Sequence, residues 1–108
     1  MMKNLTRRLA LHNELVSILG DSKRVYYSPP NGSNIKYPCI IYKRRRDLDE
    51  YANDGRYLAF KAYQITCIYQ DPDLELEADI LEHFKNKCYL ENFNTYDGLN
   101  QAHLLLYY

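Results

Sequence analysis

The side chains with which this chain could do chemistry are three histidines (His12, His83, His103), three cysteines (Cys39, Cys67, Cys88) and two carboxylate pairs, Asp47/Asp49 and Asp71/Asp73. The histidines give little. His12 falls on the apolar stripe of one helical stretch and His83 beside that of another, where an imidazole packs or hydrogen-bonds more readily than it catalyses. If the two long β-runs form a hairpin pivoting around Asn53, Cys39 and Cys67 face each other on neighbouring strands. Zinc needs four ligands, however, and no CxxC or HxxxH spacing supplies the others. An odd number of cysteines without CxxC argues against a disulfide-stapled secreted domain, and buried reduced thiols acting as small hydrophobes fit better. Asp71 and Asp73 are explained as helix-start residues, and Asp47 and Asp49 fall in a polar loop. Neither GxxxxGK[ST] nor GxGxxG is present to cradle a phosphate. The expectation is a protein that is not an enzyme, with no metal and no cofactor.

The run Lys43-Arg44-Arg45-Arg46, followed at once by Asp47, Asp49 and Glu50, carries the strongest local charge pattern. Arginine favours planar, bidentate pairing with carboxylate or phosphate, so three readings stand side by side. The run could grip nucleic-acid phosphates, with Tyr42, Tyr51 or Tyr57 stacking on bases. It could be a solvated hairpin arm whose side chains alternate to both faces. Or its cations could meet Asp47, Asp49, Glu50 or Asp54 of a neighbouring subunit. The adjacent acids favour pairing over an open phosphate grip.

Composition narrows the field. The chain has 108 residues, enough for one domain. A chain of this length buries roughly two-thirds of its unfolded surface, so its own stability is modest and association would help. Fourteen basic and 14 acidic residues balance, which argues against a nucleic-acid coat. Tyrosine is the outlier, at 12 residues against three Phe and no Trp. It suits surfaces that are wet before assembly and dry afterwards, although strands also favour aromatic residues. No stretch reaches the roughly 20 apolar residues of a membrane span. Arg7, Arg8, His12 and Glu14 interrupt the N-terminal apolar run, so it lacks the core of a signal peptide. The expectation is a soluble protein made in a cytoplasm.

The elements that must position these residues follow from periodicity. Leu5, Leu9, His12, Val16 and Leu19 recur at helical spacing, widened by Leu11, Leu15 and Ile18, and Gly20 follows where a left-handed C-cap favours glycine. This predicts a helix from about Asn4 to Leu19. Arg24–Ser28 reads as a short strand, and Pro29–Asn34 ends it. Pro38 opens a strand through Cys39–Tyr42, and a third runs from about Leu58 to Gln70, with Asn53-Asp54-Gly55 as a turn signal between them. Residues 43–58 are too polar for a core and read as a projecting hairpin arm. Asp71 reads as N-cap and Pro72 as first residue of a second helix, with Leu74, Ala78, Leu81 and Phe84 as its buried stripe and Ile80 beside it. "NFNTYDGLN" reads as a loop, and Ala102–Tyr108 as a closing strand that needs partners for its backbone. The predicted fold is a single α+β domain of order α-β-β-β-α-β, a mainly antiparallel four-stranded sheet with both helices on one face.

A leading helix, a Pro-rich loop into "KYPCIIY", a charged hairpin, "YQITCIYQDPD" running into a helix, and a closing strand resemble the tail terminator (tail completion) proteins of long-tailed bacteriophages. The resemblance covers nearly the whole chain and lies in element order and short motifs. It implies a structural virion protein of the head–tail neck, synthesised in the bacterial host cytoplasm. It implies a homohexameric ring that caps the tail tube, docks the head connector or adaptor protein, and lets DNA pass through its lumen without sequence reading. In such a ring the arm residues Arg44, Arg45, Arg46, Asp47, Asp49, Glu50, Tyr51, Arg56 and Tyr57, with the terminal Tyr107 and Tyr108, would contact a neighbouring subunit or partner. Two other readings remain open. One is a head-completion or head–tail connector protein of similar size. The other, of a different class, is a small cytoplasmic nucleic-acid-binding module whose affinity falls with salt.

Overall fold

The computed structural model of the protein describes residues 2–30, 34–48 and 61–108, the first four of these by their backbone alone. Helix α1 (Met2–Leu19) is followed by strands β1 (Val25–Tyr27), β2 (Cys39–Arg44) and β3 (Ala62–Tyr69), helix α2 (Leu76–His83), and strands β4 (Cys88–Tyr96) and β5 (Leu99–Tyr107). The strands form one sheet of order β1-β2-β3-β5-β4. The α+β class is as expected. The sheet has five strands rather than four and is mixed, because β1 runs parallel to β2. All other neighbours are antiparallel.

The extra strand, β4, includes Asn92–Tyr96 of the segment expected to be a loop. Tyr96 and Leu99 pair across Asp97-Gly98, both with positive φ (54° and 76°), as a two-residue primed hairpin turn requires. The polarity of Asn92, Asn94 and Thr95 hides this strand, since it lies at the sheet edge with one side in water. Asp-Gly was the available signal.

Both helices pack on one face of the sheet. Ile40, Tyr42, Tyr63, Ile65, Cys67, Ala102, Leu104 and Leu106 point to that face, joined by Leu11 and Leu15 of α1 and Leu76, Ile80 and Phe84 of α2. No polar or charged residue is buried among those described. The buried stripe of α1 is therefore centred on Leu11 and Leu15, both fully buried, while Leu9 is 48% exposed. The stripe of α2 is Leu76–Ile80–Phe84 rather than Leu74–Ala78–Leu81–Phe84, and Ala78 is exposed.

That shift follows from the start of α2. Asp71 does not cap a helix: its Oδ1 accepts the Asp73 N–H at 2.9 Å, and the Leu74 N–H bonds the Asp71 carbonyl at 3.1 Å. Asp-Pro-Asp thus builds a turn, with Pro72 at its second position, and the helix begins only at Leu76 after Glu75. Gly20, at φ 84°, ends α1 as expected, and its N–H bonds the Val16 carbonyl at 2.7 Å. No described helix is long and apolar enough to cross a membrane.

Candidate interaction surface

The basic run does not act as one unit, because strand alternation divides it. Arg44 is the last residue of β2, opposite Tyr63, and its guanidinium lies 5.6 Å from that ring's centre on the helix side. Arg45 turns to the other side. Its N–H groups donate to both oxygens of Asp47 at 3.1 and 3.0 Å and to Gln64 Oε1 at 3.4 Å, and Glu91 Oε1 stands 3.6 Å away. A 3-10 turn over Arg46–Leu48 folds Asp47 back for this pairing. The hydrogen bonds from Arg45 hold the Asp47 carboxyl below the usual carboxylate range. Lys43 and Arg46 are exposed. Lys43 and Arg44 are still paired strand residues, and the Arg45 N–H bonds the Ala62 carbonyl at 2.8 Å, so regular pairing reaches beyond the expected start of the arm. Asp49, Glu50, Tyr51, Arg56 and Tyr57, with the rest of the arm, lie outside the described residues.

Tyr107 and Tyr108, expected together at an interface, point in different directions. Tyr107 pairs with Ala62 on the face away from the helices. Tyr108 is half-buried against the helices, and its hydroxyl donates to Glu14 Oε2. The other Glu14 oxygen sits 2.9 Å from His83 Nε2. Burial pushes the Glu14 carboxyl up, but the hydrogen bonds from Tyr108 and His83, with the charges of His83 and Lys87, outweigh it and hold the group below its ordinary value. Burial and the Glu14 contact raise the Tyr108 phenol to about 12.

The remaining histidines serve the fold. His12 Nδ1 is 2.7 Å from the Tyr42 hydroxyl, within a cluster that includes Tyr27 and Tyr63. Burial and the nearby Arg8 lower the His12 pKa. His103 Nδ1 lies 3.1 Å from Thr66 Oγ1 across the β3–β5 pair. Cys39 and Cys67 do not face each other, since Cys39 pairs with Ile68 and Cys67 with Ile40, which sends the two thiols to opposite faces. Among the described residues no group of three or more His, Cys, Asp or Glu could hold a metal ion. A cleft of about 350 Å³ between α1 and the C-terminal strand is lined by Thr6, Arg7, Ala10, Glu14, Lys87 and Tyr108. The carboxylate among these described residues, Glu14, is engaged by His83 and Tyr108.

What the surface offers instead is contact area. No described helix packs on the sheet face opposite α1 and α2, where Ile41, Ile68, Leu105 and Tyr107 are half-buried among Thr66, Gln64, Gln101 and His103, and Cys39 and Ala62 are fully buried. Beside it runs β4, an edge strand exposed at every residue after Cys88. A bulge at Glu91 changes its alternation: Leu90 pairs with Leu104 and Phe93 with Ala102, so both lie on the helix side although three positions apart. They form an exposed apolar pair just outside the helices, and Tyr89 and Tyr96 project from the opposite face. Reading the segment from Asn92 onward as a loop hid this pair, because only the bulge brings the two side chains to one side. Comparison of the chain with protein-family models, with curated proteins and with solved structures gave no match.

Proposed function

We propose that the protein is a structural subunit of a bacteriophage neck, a tail terminator that assembles into a ring, caps the tail tube and joins it to the head connector. The observation that carries this reading is the sheet face opposite the two helices, which no described helix covers. Its half-buried Ile41, Ile68, Leu105 and Tyr107 lie among Gln64, Thr66, Gln101 and His103, with Lys43 on the same face, a mixture suited to contact with another protein. The resemblance in element order, to which the structure adds β4 before the closing strand, supports the same reading, and DNA passing through the lumen would require no base-reading residues.

In this reading the neighbouring subunit covers part of that face, and the exposed Lys43 and Arg46 lie at the end of the β2–β3 hairpin where an acidic partner surface could meet them. The test is the mass of the purified protein by light scattering, followed by capture assays. A discrete ring, with a hexamer expected, that retains tail-tube protein supports a terminator. A ring that retains only portal or adaptor protein assigns it to the connector. A monomer that binds neither, or that binds nucleic acid with steep salt dependence, rejects the proposal.

A further inference from the structure

We propose that the outer half of β4, Asn92–Tyr96, is a self-recognition strand that pairs antiparallel with the same strand of a second copy about a two-fold axis at Asn94. Four observations lead there. First, β4 is one of two sheet edges, and its outer side has no partner strand among the described residues. Edge strands normally carry lysine, proline, an inward charge or a bulge against such pairing, and the bulge of β4, at Glu91, lies outside the segment. Asn92-Phe93-Asn94-Thr95-Tyr96 carries none of these, and all five residues are exposed. Two carboxylates flank the segment, Glu91, which is met by Arg45 of its own chain, and Asp97 in the hairpin turn.

Second, the other edge is a poor alternative. β1 offers three residues, and Ser28 with φ 43° followed by Pro29 and Pro30 stops any extension. A head-to-tail pairing of β4 on β1 would have at most three rungs, whereas β4 on β4 has five beyond the bulge.

Third, the segment is complementary to itself. With Asn94 on the axis, Asn94 meets its own copy, where two side-chain amides can exchange hydrogen bonds. Phe93 meets Thr95 on the helix side, and Asn92 meets Tyr96 on the open side, since pairing with β5 already fixes those faces. An aromatic opposite a β-branched residue is among the favourable cross-strand pairs.

Fourth, the area sets the strength. Phe93 at 45% and Tyr96 at 75% exposure are the main apolar surface of the segment. With the three small polar residues, the pair would bury on the order of 400–450 Å² per copy, below the roughly 1,200 Å² total of stable interfaces. The contact is therefore a weak, reversible dimer. It is two-fold and so distinct from the head-to-tail contacts of a ring, and it stands whether or not a ring forms.

The experiment follows self-association by sedimentation across concentration, together with cross-linking of single-cysteine variants under a mild oxidant. The native thiols are buried and do not compete. The expected result has two parts. Asn94→Cys gives a disulfide-linked dimer, while Ala78→Cys on the exposed side of α2 does not. Asn94→Lys, which sets like charges against each other on the axis, weakens dimerisation by tenfold or more and leaves the circular dichroism unchanged. Three results overturn the proposal: no concentration-dependent dimer in the unaltered protein, equal cross-linking at Ala78→Cys, or an Asn94→Lys variant that dimerises as before. Ring formation is scored separately in the Asn94→Lys protein, so loss of the dimer and loss of the ring are read apart.

Discussion

Tyr108 and Glu14, 94 positions apart in the sequence, share a hydrogen bond that ties α1 to the residue following β5, with His83 of α2 on the other carboxylate oxygen. One carboxylate therefore holds three elements. Tyr108→Phe removes one donor to a charged group and is expected to cost about 1–2 kcal/mol, reduced toward the lower figure by the group's partial exposure. Urea unfolding at neutral pH measures it.

The same contact sets a pH signature. The folded-state Glu14 carboxyl lies below its ordinary value of 4.5, so its contribution is fully present above that value and is lost as pH falls through the lowered one. Stability of the unaltered protein should decline more steeply on the acid side of 4.5 than that of Tyr108→Phe. Thermal midpoints taken from pH 6 down to about 3 compare the two curves, and parallel curves would refute this role for the pair.

The two faces of α1 give a sharp contrast. Leu15→Ala empties a fully buried site and should cost about 2–5 kcal/mol. Leu9→Ala, at a position nearly half exposed, should stay within about 0.5–1 kcal/mol. Equal losses in chemical denaturation would mean that the helix is rotated from the orientation described.

Gly98 tests the β4–β5 turn. It holds φ 76°, and an added methyl group would meet nothing within 4 Å, so Gly98→Ala carries a backbone cost alone, about 1–2 kcal/mol. The measurement is the melting temperature. Self-association should weaken alongside it only if the hairpin seats the self-pairing strand.

Burial raises all three thiols, Cys39 to about 11 and Cys88 to about 12, with Cys67 well above its ordinary value. Thiolate is the reactive form. A colourimetric thiol reagent at pH 8 should therefore find almost nothing in the native protein and three equivalents in denaturant. Rapid labelling of one thiol under native conditions would show that its burial is wrong.

Periodicity revealed α1, β2, β3 and β5, since Leu11, Leu15, Ile40, Ile65 and Leu104 follow the spacing of elements with a buried face. It failed where backbone chemistry overrode pattern. Asp71-Pro72 looks like a helix start, yet the Asp71 carboxylate satisfies Asp73 two residues on, which builds a turn instead. Asn92–Tyr96 looks like a loop because an edge strand needs no apolar residues on its wet side, and only Asp97-Gly98 announces the hairpin. The candidate surface was legible as charge around Arg45, but among the described residues its acidic neighbour beyond Asp47 is Glu91, on a strand that was not expected. No local pattern places those two residues together.

The bulge at Glu91 also acts as a key for register. A strand exposed at nearly every residue could slide along β5 by two positions and keep its faces, because the pleat repeats every two residues. Here the irregular step between Leu90 and Asn92 sits beside Arg45, in the register that the two-residue turn at Asp97-Gly98 also sets. Sliding β4 in either direction would move that step away from Arg45 and draw Cys88 from its buried place opposite Leu106. The hairpin is thus proof-read by its own irregularity: the residue that interrupts the strand fixes where the strand belongs.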